Sequence, residues 1–190
     1  NSLSYGEPTP ATIKPNNPAN FTEMQRKRMA EGEEFLRNIC DGRVIDQIYT
    51  EASTSNNPVR ESHMYGTIFI NRDSPTGVIL HETGHAIEWR DSRIHELCVD
   101  FLRYRAGSEA PKQLNQILGT SGYGSNEVAV ADSFPDAYAG KVYGNWNGTI
   151  GATEILSMGL EYLFNDPVAF SVADPEYFDF IIGIVRGWLI

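Results

Sequence analysis

The segment Val78-Ile-Leu-His81-Glu82-Thr83-Gly84-His85-Ala-Ile-Glu-Trp89 constrains this 190-residue chain more than any other. Its core is HExxH. On an α-helix, positions i and i+4 lie on one face a turn apart, so His81 and His85 can share one metal ion. Glu82, next to the first histidine, can reach a water at that ion and act as general base. With only four histidines in the chain, random placement produces this pattern with a probability of about 0.6%, so coincidence is a poor explanation. Apolar residues on both sides of the motif predict a buried helix over about Thr76 to Arg90. Burying two imidazoles and a carboxylate with neither metal nor partners costs several kcal/mol. The pattern therefore predicts a Zn²⁺ site, and a catalytic site of that kind takes a third protein ligand from elsewhere in the chain.

VILHETGHAIEW resembles the active-site helix of the zincin metallopeptidases, which commonly carry apolar residues before the first histidine and a glycine before the second. The resemblance is good over about residues 60 to 92. It implies that an edge strand precedes the helix and binds an extended peptide by strand addition. Met64 to Asn71 (MYGTIFIN), rich in β-branched and aromatic residues, sits where that strand belongs. Gly84 costs ~1 kcal/mol inside a helix, so close packing or site geometry must require it.

The family offers three places for the third ligand. In metzincins a Gly follows three residues after the second histidine, with the ligand three further on; Glu88 and Asp91 occupy those positions, and without the Gly the chain turns poorly. In aspzincins the ligand is an Asp in a Gly/Tyr-containing motif, which Asp136 near Tyr138 resembles at the wrong spacing. In gluzincins it is a Glu on a second helix, often with Ser or Ala three residues later, and Thr153-Glu154-Ile155-Leu156-Ser157 is similar to that arrangement. Glu154 is thus the first candidate and Glu161, two turns on, the reserve. Thermolysin-like enzymes have an Asp four residues after the ligand Glu; Met158 stands there, so the group orienting a histidine must come from elsewhere. The long gap from His85 to Glu154 is similar to that in the anthrax lethal factor group, in which a Tyr near the metal stabilises the oxyanion. Tyr138 and Tyr143 are the candidates. The Tyr/Gly segment and TEILSMGLEYL also resemble HExxH domains of phage head-associated and prophage toxin proteins.

Around this centre the expected organisation is a Pro-rich linker or tail over residues 1–20 and one catalytic domain over 21–190. The chain begins without Met and shows no signal-peptide pattern, which suggests part of a longer protein. Thr22 to Cys40 reads as a mostly solvated helix capped by Thr22, Val44 to Tyr49 as a short strand, and Ser53 to Pro58 as a polar turn. A second helix covers Ile94 to Tyr104 and stops at Gly107. Residues 107 to 151, with eight glycines, read as a loop-rich insert. Helical spacing resumes from Ala152 to Phe164, placing Glu154 in a first turn, and a short helix or strand follows from Val168. The expected fold class is α+β: a zincin-like domain with a small mixed sheet, an edge strand before the HExxH helix and a second ligand-bearing helix.

A net charge of −10 argues against nucleic acid and anionic lipid as partners. Phe178 to Ile190, the longest apolar stretch, is too short to span a bilayer and contains Asp179 and Arg186. Cys40 and Cys98 form no CxxC pair and read as buried thiols, and His63 and His95 as surface or satisfied side chains. The expected function is a zinc metalloendopeptidase acting on a peptide laid along 64–71, virion-associated or cytoplasmic. The alternative is a non-catalytic zincin-fold module of a phage virion or toxin carrier.

Overall fold

The computed structural model describes residues 12–40, 47–52 and 62–190. It is an α+β fold with two small sheets and, among the described residues, seven α-helices. The first sheet is mixed. Strands β1 (Thr12–Pro15), β2 (Gln47–Ala52) and β4 (Thr67–Ile70) run parallel, and β3 (Ser62–Met64) pairs antiparallel with β4 at the outside, in the order β1-β2-β4-β3.

Two expectations change here. Residues 12–20 are not linker: β1 is a sheet strand whose Ile13 is buried, and Pro18–Asn20 is a 3₁₀ turn. The strand expected over Met64–Asn71 is a hairpin, because Tyr65 and Gly66 both take positive φ (50° and 80°), the backbone of a two-residue turn that matches strand twist. β4 is therefore hydrogen-bonded on both sides, and Thr67–Ile70 has no free edge for strand addition; β3 is the outer strand. The strand expected over Val44–Tyr49 appears as β2, with residues 44–46 outside the described residues, as is the turn expected over Ser53–Pro58.

Helix α1 (Glu23–Ile39) starts in the expected capping box: Gln25 N–H donates to the Thr22 hydroxyl, and Thr22 N–H to the Gln25 side chain. Its inner face presents Met29, Gly32 and Leu36 to the core. Polar residues of α1 are also used, since buried Gln25 donates to the Asn71 carbonyl and Arg28 to that of Ser74 (3.1 and 2.9 Å). Those bonds hold the loop leading into α2 (Thr76–Arg90), the HExxH helix, which has the expected bounds.

Asp91 ends α2 and caps α3 (Ser92–Ala106), accepting Arg93 N–H; Gly107, at φ 56°, stops α3 as expected. The insert after it is more ordered than its glycines suggested. It builds a second, antiparallel sheet of β5 (Lys112–Gln113), β6 (Val128–Ala129), β7 (Lys141–Gly144) and β8 (Ile150–Thr153), with α4 (Leu114–Leu118) and a 3₁₀ turn at Ala137–Gly140. The strands are too short to show a sequence period. Helix α5 (Ile155–Asn165) begins three residues later than expected, because β8 runs to Thr153 and Glu154 is the cap residue. The stretch after it forms two helices, α6 (Pro167–Ala173) and α7 (Pro175–Val185), each opened by an Asp cap and Pro. No helix among the described residues is long and apolar enough to cross a membrane.

Ile68, Ile70, Ile79, Leu80, Leu102, Ile155 and Leu156 are fully buried and join the first sheet to α2, α3 and α5 in one core. At its centre α2 and α5 touch backbone to backbone. A Cβ on Gly84 would lie 2.5 Å from Ser157 Cα and 2.7 Å from its nitrogen. The glycine inside HExxH is thus the space through which the second helix reaches the first. Gly84→Ala gains up to ~1 kcal/mol of helix propensity. Overpacking at a rigid backbone contact costs about 1–3 kcal/mol, so the variant is expected to unfold at lower denaturant concentration; a midpoint equal to or above the parent's would contradict the contact.

Candidate metal centre

His81 and His85 project from one face of α2 with ring centroids 5.1 Å apart. Glu154 meets them from the start of α5 and is fully buried. Its Oε2 lies 3.2 Å from His81 Nε2 and 3.1 Å from His85 Nε2, and the three donor atoms fall within 4.8 Å of one another. Ligands ~2.1 Å from a tetrahedral ion are about 3.4 Å apart, close to the observed edges. The proton inventory fits a cation as well. His81 Nδ1 faces Glu161 Oε2 at 3.2 Å and its Nε2 faces Glu154, so a carboxylate stands at each ring nitrogen. Such a ring must be doubly protonated or carry a metal at Nε2. The donor set of two imidazoles and a carboxylate suits zinc.

The expected third ligand, Glu154, is therefore the carboxylate that the fold brings to the histidines. Glu161 sits behind His81 instead, in the orienting position that Met158 could not fill. Asp91 is engaged with Arg93 at the α2–α3 junction. Asp136 lines the cavity and caps the 3₁₀ turn by accepting Tyr138 N–H, but is not one of the three converging donors.

Glu154 does not use its carboxylate to cap the backbone N–H groups of its own helix, as an N-cap residue usually does. Ile155 N–H uses the Thr153 hydroxyl, while Ser157 donates to Glu154 Oε2 (2.8 Å) and Tyr143 to Oε1 (2.6 Å). Tyr143 is placed by pairing of β7 with β8, which sets it opposite Ala152. Tyr138 lies one step behind, its hydroxyl 3.4 Å from that of Tyr143. Buried Lys141 donates to Tyr138 (3.2 Å), pairs with Glu127 (2.7 Å), and holds its ammonium over both tyrosine rings. Lone-residue reasoning missed Lys141 because nothing in its neighbourhood marks it as buried.

These groups line one cavity of about 770 Å³. Glu82 also lines it and is buried beside the two histidines. Ser62 and His63 of the outer strand β3 form another part of its wall. His63 Nε2 accepts Gly66 N–H at 2.8 Å, and burial, with His85 nearby, lowers its pKa to about 4, so the ring is neutral with its proton on Nδ1. His95 is a satisfied histidine away from the triad, bonded to Glu88 and to the Ile150 carbonyl.

Burial disfavours ionised Glu154, but hydrogen bonds from both histidines outweigh it and hold its pKa well below the usual carboxylate range. Burial likewise opposes charge on His81, and its bonds to Glu154 and Glu161 prevail, raising its pKa to about 10. Burial and the Glu154 carboxylate push Tyr143 far upward, so its hydroxyl keeps its proton.

Comparison with protein-family models, with curated proteins and with solved structures returns no match.

His81 protonation stabilises the metal-free fold below pH 6.5, and that contribution is lost as pH rises through about 10. A metal at Nε2 must displace the proton. Calorimetric titration with Zn²⁺ at pH 7, repeated in buffers of different ionisation enthalpy, should register release of about one proton per ion, with affinity increasing toward pH 10. Glu154→Ala should lose tight binding, and Glu161→Gln should keep it about 10- to 100-fold weaker. Equal binding by Glu154→Ala and parent would remove Glu154 from the ligand set.

Proposed function

We propose that the chain is a zinc-dependent metallopeptidase of zincin-like, gluzincin type. The observation that carries this reading is the convergence of Glu154 Oε2 on His81 Nε2 and His85 Nε2 in a cavity that also holds Glu82 and the Tyr143 hydroxyl. A bound Zn²⁺ supplies Lewis acidity toward a carbonyl oxygen and favours ionisation of water.

Glu82 is the general base: it accepts a proton from the attacking water and passes it to the leaving amine. Tyr143 retains its proton and, on turning its single O–H away from Glu154 Oε1, donates a hydrogen bond to the oxyanion that forms on the attacked carbonyl. Lys141 and Tyr138 hold Tyr143 from behind. Glu161 keeps the His81 ring turned so that Nε2 faces the ligand position. The substrate is an extended peptide, and β3, whose Ser62 and His63 line the cavity, replaces 64–71 as the strand beside which it lies.

Glu82→Gln is expected to bind Zn²⁺ as the parent does and to lower cleavage of a peptide library at least ~100-fold. Tyr143→Phe should lower kcat about 100-fold with little change in KM. Chelation should abolish cleavage and Zn²⁺ restore it. Stoichiometric zinc without cleavage of any library peptide would favour the non-catalytic module instead.

A further inference from the structure

Glu88 lies on α2 two turns beyond His81, is almost wholly buried, and takes no part in the chemistry proposed above. Its carboxylate collects three donors. Oε1 accepts Thr153 N–H at 3.0 Å and His95 Nδ1–H at 2.9 Å, and Oε2 accepts the Thr153 hydroxyl at 3.1 Å. His95, from α3, then donates through Nε2 to the Ile150 carbonyl at the other end of β8 (3.0 Å). One hydrogen-bonded unit thus grips β8 at both ends, and Thr153 is the residue before Glu154.

The rotation of Glu154 toward the histidines is set at this joint. Glu154 is in neither strand nor helix, with φ −100° and ψ 7°, so regular secondary structure does not fix its direction. What fixes it is the residue on either side. Thr153 is bound through its main chain and side chain to the same helix that carries the histidines, while Ile155 N–H returns to the Thr153 hydroxyl. A carboxylate is costly to bury, and its place is justified only when each oxygen is satisfied, as both are here.

We infer that Glu88, with His95 behind it and Thr153 in front, is a positioning residue that presents Glu154 to the metal. This rests on the metal-centre reading. The clamp keeps His81, His85 and Glu154 in register before any ion arrives, so binding does not have to order the β8–α5 joint.

The test measures Zn²⁺ affinity by competition with a chromogenic chelator, on folded protein, for Thr153→Val and Glu88→Gln in the parent and in a Glu154→Ala background. Thr153→Val, nearly isosteric, should weaken Zn²⁺ binding about 10- to 100-fold in the parent. Thr153→Ser, which keeps the hydroxyl, should restore it. In the Glu154→Ala background the Thr153→Val change should shift affinity by less than about twofold, since a clamp acting through Glu154 has nothing left to position. Equal losses in both backgrounds would mean general loosening and overturn the inference, as would parent-like affinity in Thr153→Val. Should Glu88→Gln fail to fold, the Thr153 variants decide the matter alone. A parent that binds no Zn²⁺ overturns the metal centre and the clamp together, whereas tight parental binding with unaffected variants overturns the clamp only.

Discussion

The backbone contact between α2 and α5 at Gly84 and Ser157 is the constraint on which the rest of the molecule turns. Glu154 can reach His81 and His85 only if the second helix comes in nearly touching the first, and any Cβ at position 84 would hold it off. Around that contact the usual ranking of costs is reversed. A glycine inside a helix is a loss by propensity, yet it admits the buried carboxylate whose bonds to both histidines make the charged cluster tolerable. Removing Glu154 from such a cluster would leave two imidazoles facing an unpaired space, which is why helix packing and the geometry of the candidate site are one problem in this chain.

Electrostatics at the site is layered outward from Glu154. Its carboxylate is surrounded by Ser157, Tyr143 and the two histidines, and two of these have their own backing: Glu161 behind His81, Tyr138 and Lys141 behind Tyr143. Glu127 balances Lys141 in turn. The five cavity-lining carboxylates, Glu82, Glu127, Asp136, Glu154 and Glu161, face one lysine, so the cleft carries an excess of negative charge that a divalent cation reduces. A second paired centre lies under the β8–α5 joint at Glu88 and His95. The His95 pKa is raised, chiefly by its bond to Glu88.

Much of this was legible in advance. The HExxH helix has the expected bounds because its apolar flanks and Ser-Pro entry are local signals, and Thr22 and Gly107 act at helix ends as their chemistry predicts. Glu154 was legible only by likeness of a short segment, and its position changed from first turn to cap because β8 claims Thr153. The hairpin within 64–71 was hidden because Tyr65 is a poor advertisement for positive φ. The second sheet was hidden because two- and four-residue strands carry too few side chains to establish alternation. Glu161 was visible as an acid on the right helix face, but whether it bound the metal or braced a histidine depended on a distance no spacing rule supplies.

By itself, then, the amino-acid sequence determined which helix would carry His81 and His85 on one face with Glu82 beside them, since a repeat of four residues on a helix is local geometry. It also determined that the helix would be buried, through the apolar residues on either side. Tertiary structure alone decided the partners: that Glu154 and not Glu161, Asp91 or Asp136 closes on the histidines, that β3 and not 64–71 is the open strand, and that Glu88 and His95 hold the joint from below. Those outcomes depend on how closely two helix backbones approach and where a strand hands over to a helix, and both are set by packing between segments about 70 residues apart, which no local pattern encodes.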